Sequence, residues 1–217
     1  IEDPVEYKLS GYSQIEVKPK LGLTFANALR SVLRQDPDVI MIGEMRDKET
    51  AQIAIQSALT GHLVFSTVHT NNAPATITRL IDMGIEPFLV CSTIIGVLAQ
   101  RLVRRICPDC RKSYKPHSEQ LRELGIKEEN FRKIGRSFYR GTGCSKCRNT
   151  GYHGRLGIHE LLEMSDGVKN IILESSDSDA IKKQALKEKM ITLRRDGVNK
   201  ILHGLTTAEE ILSITTD

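Results

Sequence analysis

A strand-like run, an amphipathic helix and a second strand-like run follow one another with almost no linker, and that order leaves the chain few ways to fold. Val39 to Ile42 is four consecutive apolar residues, and Leu63 to Val68 is a second run rich in β-formers. Between them, Lys48 to Leu59 carries apolar residues at helical spacing and stops before Gly61, a residue suited to the left-handed position past a helix end. Strands joined through a helix cannot form a hairpin; they run parallel through a crossover. A continuous apolar run such as Val39 to Ile42 predicts a strand covered on both faces. Upstream, Thr24 is placed to cap a helix bearing Phe25, Ala28, Leu29, Val32 and Leu33, and Asp36-Pro37 ends it. Downstream, the spacing predicts helices over 72–83 and 86–105, broken at Gly84. On the second, Phe88, Leu89, Ile94, Ile95 and Leu98 share an apolar face expected to pack into the core.

After Cys107 the composition changes. Lys, Arg and Gly become frequent and apolar periodicity weakens until about Leu156. Such a segment buries little core and needs a staple. Cys107-x-x-Cys110 and Cys144-x-x-Cys147 supply four thiols in two pairs, the ligand set of a closed structural zinc site. The 33 residues between the pairs exceed the usual zinc-ribbon interval, so they are expected to form a small lobe of their own. With all four positions filled by Cys, the expected role of the metal is structural. Cys91 stands apart on an apolar stretch and suits core packing. Helical spacing returns around 168–173, 180–188 and 208–212. The expected division is 1–105 for an α/β core, 106–160 for the cysteine module and 161–217 for a helical subdomain.

The net charge of +4 is slight and Trp is absent, which argues against a nucleic-acid binder that stacks bases. No charged-then-apolar leader opens the sequence, and the run from Phe88 to Leu102 is too short and too interrupted to span a bilayer, which takes about 20 residues. Paired thiols without a leader suit a reducing compartment, so a cytoplasmic location is expected. Ile1-Glu2-Asp3-Pro4 resembles the end of a buried strand, and the chain is expected to be a piece of something longer.

In open α/β sheets ligands bind beyond the carboxyl ends of the strands. Glu44 follows the first strand directly, so its carboxylate is placed either for Mg²⁺ or a catalytic water, or as a solvated strand-end charge. His62 and His69 bracket the second strand, about 23 Å apart at 3.3 Å per residue, so they cannot share a site. His69 lies at the carboxyl end, among Ser66, Thr67, Thr70, Asn71 and Asn72, where it could report on a phosphate. His62 is better suited to supporting the strand's other end. Glu2, Asp3 and Glu6 crowd three carboxylates around Pro4, which suits a metal, a general base or a polar loop. No Gly-x-x-x-x-Gly-Lys-[Ser/Thr] phosphate cradle occurs in the 217 residues, so the strand bearing one is expected upstream.

In order, these segments resemble the secretion ATPases of bacterial type II secretion and type IV pilus assembly, the GspE/PilB family. Glu2-Asp3-Pro4-Val5-Glu6 is similar to the family's acidic Asp box. The stretch from Arg34-Gln35-Asp36-Pro37-Asp38 to Gly43-Glu44-Met45-Arg46-Asp47 is similar to its Walker B region, which in this family carries Gly at position 43. Thr60-Gly61-His62 through His69-Thr70-Asn71 is similar to its His box, and Gly151-Tyr152 with Gly154-Arg155-x-Gly157-Ile158-x-Glu160 to the close of its cysteine module. The resemblance implies a RecA-like P-loop NTPase core, incomplete at its N-terminus here, from a hexameric ring. It implies Mg²⁺-dependent ATP hydrolysis that drives assembly of pilin-like subunits. Glu44, Glu6 or Glu2, and His69 would be catalytic; Asp3, Glu44, Arg46, His62, Thr67 and His69 would face the nucleotide; the four cysteines would hold Zn²⁺. The implied partners are further copies of the chain and the inner-membrane platform of the machine, with membrane association only through those partners and no nucleic acid. The cysteine module favours an assembly or secretion motor over a retraction motor. Without a cradle, these residues alone are expected to be inactive. Two other readings remain: a non-catalytic adaptor whose zinc module docks the membrane platform, and a zinc-ribbon nucleic-acid binder resting on Arg101, Arg104 and Arg105.

Overall fold

The computed structural model describes residues 1–215, with the side chain of residue 134 left aside. They form two compact units, residues 1–97 with 162–188 and residues 98–161 with 189–215. Residues 162–188 fall in the first unit and the described residues from 189 onward in the second.

In the first unit, α1 (Phe25–Val32), β1 (Val39–Ile42), α2 (Lys48–Leu59) and β2 (Leu63–Ser66) follow in order. Each helix starts where a side chain takes an orphan amide. Thr24 accepts from Asn27 N–H, and Asp47 from Thr50 N–H at 2.8 Å. Strands β1 and β2 pair in parallel, Val39 opposite Leu63 and Ile42 opposite Ser66. The backbone of Ile1 lies on the other edge of β1, where its carbonyl accepts from Gly43 N–H at 2.8 Å.

One expectation fails at β1. Ile40 and Ile42 are buried in a cluster with Ile1, Val17, Leu29, Ile53 and Ala54. Burying each such side chain stabilises by roughly 1.5–3 kcal/mol. Val39 and Met41, however, stay 57% and 51% exposed, and Phe65 on β2 stays 54% exposed. The helices among the described residues cover one face of this sheet, so the apolar run is not buried on both.

Helices α3 (Ala73–Asp82) and α4 (Pro87–Thr93) follow, α3 capped by Asn72 accepting from Ala75 N–H. The helix expected over 86–105 is half wrong. It ends at Thr93, and Gly96–Ile106 is an 11-residue strand, β3. Residues 97, 99, 101 and 103 turn inward in alternation, a period of two that the apolar spacing concealed. The face assigned to the core fails with it. Phe88, Ile95 and Leu98 are exposed, and Ile94 sits past the helix end in extended conformation. Cys91 is buried and its thiol points at the carbonyl of Lys169. Helices α7 (Asp166–Glu174) and α8 (Ser178–Lys187) complete this unit.

The second unit holds β4 (Arg111–Tyr114), α5 (Ser118–Glu123), α6 (Glu128–Ile134), β5 (Phe138–Gly141), β6 (Tyr152–Glu163), α9 (Leu193–Leu202) and α10 (Ala208–Ile214). Strands β3 and β6 pair with each other. Strands β4 and β5 are antiparallel, Tyr114 opposite Phe138. Phe138 is fully buried, edge-on to Tyr114 and to Phe131, and Val103, Ile158, Ile201 and Ile211 are buried in the same cluster. The expectation of little core is therefore corrected: α9 and α10, brought back from the end of the chain, supply it.

Arg104 ties β3 to α10. Its backbone N–H and guanidinium both donate to the carboxylate of Glu210, and the guanidinium stacks 4.1 Å over the Tyr152 ring. Burial of the Glu210 carboxyl pushes it up, but the Arg104 donors outweigh that and hold it below its usual range. A carboxyl lowered on folding stabilises above its unfolded value of about 4.3 and loses that contribution as pH falls through the folded value. Glu210→Gln is thus expected to destabilise the protein at pH 7, with the gap to wild type closing below about pH 4. Denaturant unfolding across pH checks it.

Candidate functional site

The parallel register of β1 and β2 puts their carboxyl ends on one edge, so Glu44 and His69 emerge side by side. Glu44 is 9% exposed. Its Oε1 lies 2.5 Å from the Arg46 guanidinium, and its Oε2 lies 3.3 Å from His69 Nε2. The histidine is close enough for an ion pair but does not donate a well-aligned hydrogen bond, and Glu44 Oε2 is left as a buried acceptor without a donor. Arg46 holds the Glu44 carboxyl below its ordinary value against the opposing effect of burial, so Glu44 is ionised at neutral pH. The same pairing raises Arg46. The Ser66 hydroxyl, on the same strand end, is also buried without a partner. Orphaned buried polar atoms are rare, and each calls for a partner such as a water, an ion or a ligand atom.

Around this pair the backbone is tightly locked. Thr67 Oγ1 donates to the Gly43 carbonyl at 2.6 Å, and Met45 N–H donates to the Thr67 carbonyl at 3.0 Å. A Cβ on Gly43 would meet the Ile1 carbonyl at 3.2 Å, which explains why glycine suits the position. The acidic segment reaches the same edge. The Glu2 backbone passes beside Gly43, and Asp3 lies close enough to Arg46 to strengthen its charge. Glu2 itself accepts from Gln14 Nε2 at 2.8 Å. Glu6 is exposed. His62 is placed elsewhere: its Nδ1 is 2.9 Å from the Ser57 carbonyl, at the amino end of β2, where it ties the strand to the end of α2.

These residues fit a hydrated divalent cation or an attacking water. Glu44 offers an ionised carboxylate with a spare oxygen, and Asp3 is a second carboxylate close to Arg46. They do not form a phosphate cradle, since no glycine-rich loop lies among them.

The second cluster is the four thiols. Cys107 Sγ and Cys144 Sγ are 3.8 Å apart, Cys110 and Cys147 3.9 Å, and Cys144 and Cys147 3.7 Å. A tetrahedron with metal–sulfur bonds of about 2.3 Å has edges of about 3.8 Å, so the sulfurs are spaced for zinc. All four lie within 4.8 Å of one another, and all but Cys144 are buried. Burial pushes the Cys110 thiol up to about 11. At Cys147 burial is outweighed by the amides of Cys144 and Gly151, which donate to its sulfur at 3.2 and 3.3 Å and hold the thiol at about 6. Amide donors of this kind prepare a sulfur to act as thiolate ligand.

Sequence spacing found the ligands but missed their supports. Asp109 and Lys146 form an ion pair between the two cysteine pairs. Gly141 and Gly151 press backbone to backbone, where a Cβ on Gly141 would lie 2.0 Å from the Gly151 carbonyl. The glycines were visible in the sequence; their mutual contact was not. Gly141→Ala is expected to cost about 3 kcal/mol or more, since backbone cannot yield as a side chain does. Urea unfolding followed by circular dichroism measures it.

Among the described residues, no helix is long and apolar enough to cross a membrane. Residues 1–213 match the family model described as "Type II/IV secretion system protein". The chain is 53% identical over 215 residues to the type IV pilus assembly ATPase PilB of Thermus thermophilus, covering 99% of this chain and 24% of that protein. It is 50% identical to the type II secretion system protein E of Dickeya dadantii, covering 99% of this chain and 42% of that protein. Among solved structures, the ADP-bound pilus retraction motor PilT superposes with a TM-score of 0.68 at 28% identity, over all of this chain and 51% of that one. The chain thus spans less than half the length of these curated relatives, and it shares the fold of a P-loop NTPase. With a family model matched along nearly its whole length, the chain belongs to the type II/IV secretion system protein family.

Proposed function

We propose that these residues are the sensor half and metal module of a cytoplasmic, ring-forming motor ATPase. It acts at the inner face of the inner membrane and drives pilin or pseudopilin assembly for type II secretion or type IV pili. The single observation that carries this reading is the buried, ionised Glu44 with a spare oxygen, flanked by His69 and Arg46 at the carboxyl edge of a parallel sheet. When bound, Mg²⁺–ATP would supply the phosphoryl group and its neutralising cation. Glu44 would either orient the attacking water and take up its proton, or hold a water of the hydrated cation. His69, largely exposed beside it, donates toward anionic oxygen. Asp3 adds a carboxylate near Arg46, Glu2 or Glu6 from the acidic segment is the candidate partner base, and Thr67 fixes the Gly43 backbone so that Glu44 keeps its direction.

His62 serves this reading by holding β2 rather than by touching nucleotide. The bare face of Val39, Met41 and Phe65 suits a further layer of helices, since parallel sheets are ordinarily covered on both sides. The thiol tetrahedron is the structural zinc centre. The test is phosphate release by a full-length protein that includes a Walker A segment, alongside the 217-residue chain alone. Turnover in the first and none in the second is expected; no turnover in either with Mg²⁺ present defeats the ATPase reading.

A further inference from the structure

Asp109 and Lys146 occupy the same place in the two Cys-x-x-Cys turns, just before the second cysteine, and they meet beside the metal site. Lys146 Nζ lies 2.6 Å from Asp109 Oδ1, while Asp109 Oδ2 is 3.9 Å from Cys107 Sγ. A divalent ion held by four thiolates carries a net charge of about −2. A carboxylate next to one of those sulfurs adds further negative charge beside the cluster. The ammonium cancels it and sets a positive charge against the cluster from the opposite cysteine turn. We infer that Lys146 is a charge clamp on the metal centre, steadied by Asp109, and that its positive charge slows metal loss by offsetting the negative charge of the cluster and of Asp109.

The inference rests on the cysteines holding a metal, and it differs from an ordinary surface ion pair in what removal of each partner does. An ordinary solvent-exposed pair loses the same interaction whichever partner goes, and removing both costs about as much as removing one. A clamp is asymmetric. Loss of Lys146 leaves Asp109 uncompensated against an anionic cluster, whereas loss of Asp109 removes a repulsive neighbour along with the tether.

The experiment is the rate of zinc release from the loaded 217-residue protein to a chromogenic chelator. Lys146→Gln is expected to release zinc about 10-fold faster than wild type, the lower end for loss of a partner around a metal site, because this pair is partly exposed. Asp109→Asn is expected to stay within about 2-fold of wild type. The double variant should release more slowly than Lys146→Gln alone, and Lys146→Arg should restore the wild-type rate. The Lys146→Gln effect should also shrink in 1 M salt, where the screening length is about 3 Å. Equal rates for wild type and Lys146→Gln, or a double variant at least as fast as Lys146→Gln, overturns the clamp. A wild-type protein that takes up no stoichiometric zinc overturns the metal centre itself, and the clamp with it.

Discussion

Serine in place of Cys147 is expected to empty the metal centre and loosen the loops around it, while leaving the rest of the second unit packed. Cys147 carries the two amide donors and lies within 4 Å of both Cys110 and Cys144, so its sulfur is the best-prepared of the ligands. A hydroxyl in its place is a poor ligand and leaves those amides facing a shorter side chain. In small zinc peptides the metal contributes about 10–16 kcal/mol to folding, so a weakened site removes a large term. The loss is expected to be local. Phe138, Ile158, Ile201 and Ile211 are fully buried in a cluster that does not include the sulfurs. Metal analysis should find substoichiometric zinc in the variant. Hydrogen exchange should rise around Cys107 to Cys110 and Cys144 to Gly151 and stay slow near Phe138. Cooperative loss of protection across the whole unit would show that the metal, not the apolar cluster, holds it together.

Glu44→Gln is expected to lower ATP turnover by a full-length protein about 10²–10⁴-fold, the usual range for removing a general base, with nucleotide binding retained. The substitution keeps the shape of the side chain and removes its charge. It also strips Arg46 of its partner and His69 of the neighbouring anion. Because Arg46 lowers the Glu44 carboxyl, turnover that depends on the ionised form should persist at mildly acidic pH and fall only below the usual carboxylate range. A variant that turns over normally would move the base to Glu2 or Glu6. A variant that fails to bind nucleotide would instead make Glu44 a binding residue.

Much of the site was legible because its residues lie at ends of elements whose pattern was clear. Gly61 and the helical spacing of Lys48 to Leu59 fixed the crossover, and the crossover alone puts Glu44 and His69 on one edge. The four cysteines were legible from spacing because metal geometry restricts which residues can meet. What spacing could not supply was contact between distant segments: Asp109 with Lys146, Gly141 with Gly151, Arg104 with Glu210. The strand Gly96–Ile106 is hidden in the sequence because Phe88, Leu89, Ile94, Ile95 and Leu98 happen to match helical spacing, although Gly96 marks the point where the strand begins. Helix α9 leaves a weak sequence signal because Arg194, Arg195, Asp196 and Gly197 dilute its apolar stripe. The exposed face of β1 shows the reverse limit. Val39 and Met41 are as apolar as Ile40 and Ile42, and sequence cannot say which face the present helices leave open.

The most direct test of the central claim is hydrogen exchange on a full-length protein with and without a non-hydrolysable ATP analogue and Mg²⁺. If the carboxyl edge of β1 and β2 is the nucleotide-sensing site, amides from Gly43 to Met45 and from Thr67 to Asn71 become protected together, while those near His62 do not change. Nucleotide binding that leaves both strand ends unprotected, or that protects the His62 end instead, contradicts the account.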